Sequence, residues 1–137
     1  MMKKKHYVLR KSLVLLFLCI SFIHVTSQEY ANKNTPIMEF EKEVHDYGTI
    51  LKESDGTYEF VFTNKGKEPL VITNVRSSCG CTTPNWTKDP VNRKKEGSII
   101  VKYNTRIVGN FRKSVTVYSN AVNSPVVLTI KGHVIEE

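Results

Sequence analysis

Residues that carry chemistry are scarce in this sequence. Its 137 residues include three cysteines, four histidines and one tryptophan, and no second cysteine or histidine pair has the spacing of a zinc site. There is no nucleophile-elbow serine and there are no paired carboxylates, so hydrolytic catalysis has no motif to support it. Long helical stripes, internal repeats and low-complexity tracts are also absent, which leaves one domain with its own core.

Negative charge is missing from the start of the chain. The formal net charge is +7, but five basic residues precede position 28 with no acid among them: Lys3, Lys4, Lys5, Arg10 and Lys11. Without these five the formal charge falls to +2. A chain this close to balance lacks the basic surface that nucleic acid requires, so no nucleic-acid partner is expected.

The first 27 residues have the pattern of a secretion signal. A basic start is followed by an apolar run over residues 13–25 and by a short Val-Thr-Ser segment, so cleavage is predicted before Gln28. The alternatives are a membrane anchor, for which the run falls short of roughly 20 residues, and lipidation at Cys19, which Leu18 disfavours. Cleavage removes Cys19 and leaves no transmembrane span. The predicted location is therefore periplasmic or extracellular, an oxidising compartment.

The remainder of the chain reads as a short linker and a β-sandwich. Residues 28–36 are polar and end in a proline, and they are predicted to form a flexible linker before a domain over residues 37–137. Within that domain, apolar and polar residues alternate in short runs that turn residues interrupt about every ten positions. Pro84 and Pro90 exclude a central strand after the cysteines. The pattern predicts an all-β, seven-stranded, immunoglobulin-like sandwich.

The segment SSCGCTTPNW contains the two cysteines of the mature chain. In a straight strand the β-carbons of Cys79 and Cys81 would lie about 6.6 Å apart, whereas a disulfide requires about 3.8 Å. A bridge therefore needs a kink, for which Gly80 is the predicted turn-forming residue. Three interpretations stay open, in this order: a compact structural turn, a redox-active disulfide, and a weak Cu(I) site completed by Met38, His45 or His133. No cofactor is predicted.

Several segments together resemble a known family. They are HDYGTI, TYEFVFTNKG, SSCGCTTPNW, GSIIVKYNT, GNFRKSVTVYSN and the closing KGHV. Over residues 37–135 the chain is similar to a large bacterial family of secreted domains of unknown function in the Hydin-like (ASH) immunoglobulin superfamily. The resemblance implies a sandwich related to major sperm protein domains and no established activity. One departure is visible, because the family usually has Pro-Gly where this chain has Arg93-Lys94.

Four further residues are candidates for recognition. Trp86 follows the cysteines and would either cap the core or contact a partner. Arg93, Lys94 and Lys95 form a small basic tip that would contact an acidic partner or remain a solvated loop. The predicted function is an exported, non-enzymatic binding or scaffolding module for an unidentified protein of the cell envelope, which acts through its surface or through a sheet edge. The alternative is a thiol-redox or copper-binding protein that uses Cys79 and Cys81.

Overall fold

The structure is a computed structural model that describes residues 34–137. The predicted signal peptide (1–27) and residues 28–33 of the predicted linker lie outside the described residues. The described range contains eight strands: β1 (Met38–Phe40), β2 (Val44–Leu51), β3 (Thr57–Asn64), β4 (Ile72–Ser77), β5 (Thr82–Trp86), β6 (Glu96–Tyr103), β7 (Gly109–Ser119) and β8 (Val126–Ile135). No helix in this range is long and apolar enough to cross a membrane.

The strands form two four-stranded sheets that pack face to face. One sheet has the order β1-β3-β6-β5 and the other the order β2-β8-β7-β4. All pairs are antiparallel except β2 with β8, which is parallel. The alternation in the sequence places every second side chain of each strand between the sheets, for example Phe60 and Phe62 of β3, which are 1% and 0% exposed. The predicted all-β immunoglobulin-like sandwich is confirmed.

The predicted strand count of seven is one too few, because the segment after the cysteines is itself a strand. β5 pairs with β6 at the edge of its sheet, and Pro84 lies opposite Val101. The Asn104 N–H donates to the Cys81 carbonyl, and the Thr87 N–H donates to the Ser98 carbonyl. These two hydrogen bonds determine which residues of β5 direct their backbone N–H and C=O groups towards β6. By this alternation the Pro84 nitrogen faces away from β6, so the proline costs no ladder hydrogen bond.

The core lies between the two sheets and is aromatic towards one end. Tyr103 stacks on Phe111 with ring centroids 3.8 Å apart, and Tyr47 contacts the same phenylalanine at 5.7 Å. His45 stacks on Tyr58 at 3.5 Å, so it joins the two sheets near an edge. The fully buried aliphatic side chains complete the core: Leu70, Ile99, Val101, Val115, Val117, Leu128, Ile130 and Val134.

The chain passes between the sheets at both sides of the sandwich. It crosses from β1 to β2 on one side and from β4 to β5 on the other, and all four of these strands are edge strands. The turns 52–56, 78–81 and 104–108 lie at one end, which we call the cysteine pole. The turns 65–69 and 92–95 lie at the other end, the opposite pole, where β1 also begins.

Asn64 organises the opposite pole from a fully buried position. Its Nδ2 donates to the carbonyl oxygens of Glu68 and Val91 at 2.8 and 2.9 Å. Its Oδ1 accepts from the Gly66 N–H at 2.9 Å and from the Ile37 N–H at 3.4 Å. One side chain thus satisfies the backbone groups of three separate segments, which would otherwise be buried without partners.

The end of the predicted linker contacts this pole. The Asn34 carbonyl accepts a hydrogen bond from the Glu68 N–H at 2.9 Å, and the Pro36 carbonyl accepts one from the Val122 N–H at 2.9 Å. Pro36 itself is buried. Residues 34–36 therefore pack on the sandwich, and the flexible linker over residues 28–36 stays a prediction.

The basic tip is a tight turn with one residue in a left-handed conformation. The Lys95 N–H donates to the Asn92 carbonyl at 3.0 Å, and Lys94, the third residue of the turn, has a φ of 60°. This is the turn in which proline is favoured at the second position and glycine at the third. Arg93-Lys94 therefore adopts the turn that a Pro-Gly pair would favour, and the lysine carries the steric cost.

All four edge strands are interrupted. β1 is three residues long, β2 has a bulge at Gly48, where φ is 64°, β4 has a register shift between Ile72 and Asn74, and β5 contains Pro84. In β5 the other outward N–H groups are also occupied, since Thr82 donates to Cys79 and Trp86 donates to the Asn85 side chain. These features are the usual means of preventing edge-to-edge pairing.

Replacement of Asn64 by alanine should destabilise the domain by about 3 kcal/mol or more, because it leaves several buried backbone groups without partners. Urea unfolding followed by tryptophan fluorescence measures the change. Asn92→Ala, at an exposed position of the adjacent turn, is the matched control and should stay within about 0.5 kcal/mol of the unmodified chain. Equal unfolding midpoints for the two variants would contradict the role given to Asn64.

Lys94→Gly should raise the free energy of unfolding by about 0.5–1 kcal/mol, because glycine adopts a positive φ without the clash of a Cβ atom. Lys95→Gly removes the same charge one position later, where φ is not left-handed, and should lower it by a similar amount. Chemical denaturation of the two variants side by side separates backbone strain from charge. If both variants are stabilised, or neither is, the change in stability does not come from the left-handed backbone at Lys94.

Candidate functional site

The two cysteines lie in the crossover that joins β4 to β5 at the cysteine pole. Cys79 and Cys81 form a disulfide with their Cα atoms 5.3 Å apart, closer than the roughly 6.6 Å expected of a straight strand. The Thr82 N–H donates to the Cys79 carbonyl at 3.4 Å and closes a four-residue turn. The kink is thus present around Gly80, as a bridge requires.

Gly80 does not use the conformational freedom for which it was predicted. Its φ is outside the left-handed region, unlike that of Gly48 and Gly109. A Cβ atom built on it would have no heavy atom within 4 Å. The kink is therefore compatible with alanine at this position, and hydrogen bonds rather than glycine hold it.

Those hydrogen bonds anchor both ends of the turn to neighbouring strands. The Ser77 hydroxyl donates to the Cys79 carbonyl at 2.8 Å, and the Asn104 N–H donates to the Cys81 carbonyl at 2.9 Å. The Ser78 N–H donates to the Ser114 carbonyl at 2.9 Å, and the Ser78 hydroxyl accepts from the Ser114 N–H at 3.1 Å. The backbone at both cysteines is therefore fixed independently of the sulfur–sulfur bond.

The sulfur atoms share one hydroxyl neighbour. Thr82 Oγ1 lies 3.8 Å from the Cys79 sulfur and 3.9 Å from the Cys81 sulfur. Thr82 is 3% exposed, whereas both cysteines are partly exposed. Cys81 also packs against the hydrophobic core. The hydroxyl is therefore placed to donate a hydrogen bond to either sulfur from the buried side of the turn.

A groove of about 740 Å³ opens beside the bridge. Cys81 and Gly80 line it on one side, and the turns 52–56 and 104–108 line it on the other; Cys79 is not among its lining residues. Those two turns are tied together closely at Gly56, where an added Cβ atom would lie well under 3 Å from the Tyr103 carbonyl oxygen. The groove wall is therefore closely packed at this point.

The groove carries charges of both signs. Glu53 and Asp55 lie on one turn, and Lys102 and Arg106 lie on and after β6. Glu53 and Arg106 form an exposed ion pair at 3.5 Å. Hydrogen bonds from the Thr57 hydroxyl and N–H hold the pKa of Asp55 below its usual value, so this carboxylate is ionised at neutral pH.

Beneath the wall, Tyr47 supports the 52–56 turn. Its hydroxyl donates to the Gly56 carbonyl at 2.7 Å, and burial raises its pKa to about 12. It therefore remains a neutral donor throughout the physiological range. The groove is built on this fixed contact and on the Thr105 hydroxyl, which donates to the Ser54 carbonyl at 2.6 Å.

Exposed aliphatic side chains surround the same pole. Leu51 is 45% exposed and lies opposite Ile135, which is 37% exposed, and Ile107 and Val108 are 46% and 47% exposed in the adjacent turn. We call these four residues the aliphatic rim. Sequence reasoning missed them, because each belongs to an ordinary strand end or turn and only the topology brings them to one end.

The other predicted site residues lie elsewhere. Trp86 is partly buried against the core at the far end of β5, and the Lys88 ammonium lies 3.0 Å from the centre of its ring. The basic tip of Arg93, Lys94 and Lys95 is exposed at the opposite pole. The structure therefore does not bring the tip, the tryptophan and the cysteines into one site.

The suggested copper ligands are likewise dispersed. Met38 is 2% exposed in β1 at the opposite pole. His45 stacks on Tyr58 and contacts Tyr47 edge to face, and burial lowers its pKa. His133 lies in β8 with its Nδ1 buried and unpartnered. Among residues 34–137 no three histidine, cysteine or acidic side chains are grouped as metal ligands would be.

Comparisons with solved structures agree with the sandwich. A protein of unknown function from Porphyromonas gingivalis W83 is similar with a TM-score of 0.67 and 11% identity, over 79% of this chain and 51% of that one. The ASH/PapD-like domain 7 of human CEP192 is similar with a TM-score of 0.63 and 9% identity, over 76% and 89%. The secreted serine protease VesC from Vibrio cholerae is similar with a TM-score of 0.54 and 11% identity, over 72% and 23%.

These identities support a common fold and nothing further, and this chain spans about half the length of the Porphyromonas protein. No curated protein matches the sequence. A family model described as protein of unknown function (DUF1573) matches residues 38–134, which is nearly the whole sandwich and well over half of the chain. The chain therefore belongs to the DUF1573 family of proteins of unknown function.

Proposed function

We propose that this protein is an exported, non-enzymatic binding module that engages a protein of the cell envelope with its cysteine pole. The observation that carries the proposal is the aliphatic rim beside a charged groove. Apolar side chains at the centre of a patch with polar groups around them are typical of protein interfaces. The rim includes Leu51 and Ile107, and the Lys52–Glu136 and Arg106–Glu53 ion pairs flank it.

The sheet edges favour this surface over strand addition. A partner strand needs an uninterrupted row of free N–H and C=O groups. β5 offers no free N–H at its three outward positions, and the bulge at Gly48 interrupts β2, where the Asp46 carboxylate also accepts the Gly48 N–H at 2.8 Å. Binding through side chains and turns at the pole requires no such row.

The opposite pole is a weaker candidate. Its exposed residues around the basic tip are mostly charged, including Lys65, Lys67, Glu68 and Lys95. Solvated surface charges of mixed sign contribute little to affinity. The basic tip therefore fits a solvated surface better than the centre of an interface.

Export is part of the proposal. The basic and apolar pattern of residues 1–27 fits a signal peptide, and a disulfide between Cys79 and Cys81 fits an oxidising compartment. Periplasmic and extracellular locations both satisfy these conditions.

Intact-mass measurement of the exported protein tests the location and the thiol state together. We expect a mature chain that begins at Gln28 and gains no mass with a thiol-alkylating reagent until it is reduced. Retention of residues 1–27 would contradict processing, and alkylation without reduction would contradict a bridged pair.

Site-specific photo-crosslinking in intact cells tests the binding face. A benzophenone amino acid at position 107 should give discrete adducts, and the same group at Val122, 61% exposed at the opposite pole, should not. Leu51→Asp in the position-107 chain should reduce the adducts about fivefold or more, since it places a carboxylate inside the apolar patch. Val127→Asp, at a position 51% exposed outside the rim, is the matched control and should leave them unchanged.

The proposal fails if position 107 gives no adduct, or if Leu51→Asp and Val127→Asp act alike. Thermal unfolding of each variant must match that of the parent chain, so that lost adducts are not a consequence of lost structure.

A further inference from the structure

We propose that the Cys79–Cys81 bridge is a disulfide-exchange site in which a cysteine thiolate of the bound protein attacks the Cys81 sulfur from the groove. This inference deepens the proposed function, because it assigns chemistry to the partner at the same pole. Three features of the turn support it: the small stabilisation that the bridge supplies, the position of Cys81 and the shared hydroxyl.

The bridge contributes little to folding. Loop-closure entropy gives about 1.6 kcal/mol for a ring of three residues, compared with about 4.7 kcal/mol for a ring of a hundred. The Ser77, Ser78 and Asn104 hydrogen bonds hold the turn without it. The domain can therefore open and close the bridge while it remains folded, which a structural disulfide that closes a long loop cannot do.

The groove determines which sulfur is attacked. Cys81 is a lining residue of the groove and Cys79 is not, which favours attack on the Cys81 sulfur. Access of this kind is one of the main determinants of exchange rate. The partner sulfur bonds to Cys81, the Cys79–Cys81 bond breaks, and its electron pair leaves on Cys79 as a thiolate.

Thr82 is placed to stabilise the leaving group. Its hydroxyl is 3.8 Å from the Cys79 sulfur, and a hydrogen bond to a thiolate is stronger than one to a neutral sulfur. Thr82 therefore takes part in the exchange directly, since its hydroxyl contacts the leaving sulfur from the buried side.

The electrons balance if the partner supplies two thiols. After the mixed disulfide forms, the second partner thiolate attacks the partner's own bonded sulfur, and Cys81 leaves as a thiolate. The partner pair is then oxidised to a disulfide, and Cys79 and Cys81 are reduced to a dithiol or dithiolate. The reductant is thus a cysteine pair in a protein, and no other co-reactant is needed for one cycle.

The groove suits a protein thiol better than a small one. Its volume of about 740 Å³ exceeds the needs of one cysteine side chain. Acidic Glu53 and Asp55 line the groove together with basic Lys102 and Arg106, so a segment with one charge of each sign beside its cysteine finds a counter-charge for each.

The test uses the purified, oxidised chain and the peptide acetyl-Ala-Lys-Ala-Cys-Ala-Glu-Ala-amide. Acid-quenched samples are digested and mapped by mass spectrometry. We expect a mixed disulfide at Cys81, formed about fivefold or more faster than with N-acetylcysteine amide, which carries a similar thiol without the flanking segment. An adduct at Cys79, or equal rates for the two thiols, would overturn the assignment of the attacked sulfur or of the protein source.

Two pairs of variants separate access from structure. Thr83→Trp fills the groove and should slow exchange about tenfold, whereas Thr73→Trp, at an exposed threonine of β4 outside the groove, should not. Thr82→Val should slow it severalfold, and Thr82→Ser should restore it. If Thr82→Ser is as slow as Thr82→Val, the hydroxyl has no part in the reaction.

Folding of the reduced state completes the test. Cys79→Ser combined with Cys81→Ser should keep the native circular dichroism spectrum, with a loss of about 2 kcal/mol or less. Global unfolding would make the bridge structural and would overturn exchange. Because the peptide reaction needs no cellular partner, failed exchange with intact position-107 adducts removes only this inference. Exchange without such adducts removes the proposed binding face.

Discussion

A sandwich made from one chain must pass that chain between its sheets without leaving buried backbone groups unpaired. This domain does so with local hydrogen bonds at its turns, of which two sets stand out. Asn64 satisfies the backbone near the first β-strand, where the chain enters the fold. Ser77, Ser78 and Asn104 do the same around the cysteine turn. The strands can pair regularly because the irregular backbone at these two turns has its own hydrogen-bond partners.

The cysteine turn is held in the same way, by hydrogen bonds of its backbone. Hydrogen bonds to both neighbouring strands determine its path, and the sulfur bridge lies on top of a backbone that is already fixed. Geometry of this kind leaves the covalent bond free for a purpose other than holding the fold. It also explains why Gly80 has open space around it, since the turn does not require a residue without a side chain.

Most of the fold could be predicted from alternation, but most of the site could not. Strands such as Thr57–Asn64 can be predicted because apolar residues, which are buried in the structure, occupy every second position. The strand Thr82–Trp86 was not predicted, because a proline such as Pro84 is unfavourable in a paired strand. The strand tolerates Pro84 because it lies at the edge of its sheet and the proline nitrogen faces away from β6. The cysteine pair stood out by its spacing. The aliphatic rim has no local signal, because only the topology brings Leu51 and Ile107 to the same end of the sandwich.

The interrupted edges have a consequence for how this domain can be arranged. Identical copies strung along one polypeptide experience each other at millimolar effective concentrations, and open strand edges would then cross-pair between neighbours. A proline, two bulges and a very short terminal strand remove the continuous templates for such pairing. The domain is thereby suited to tandem repetition or to dense display on a surface, because neighbouring copies do not pair their strands.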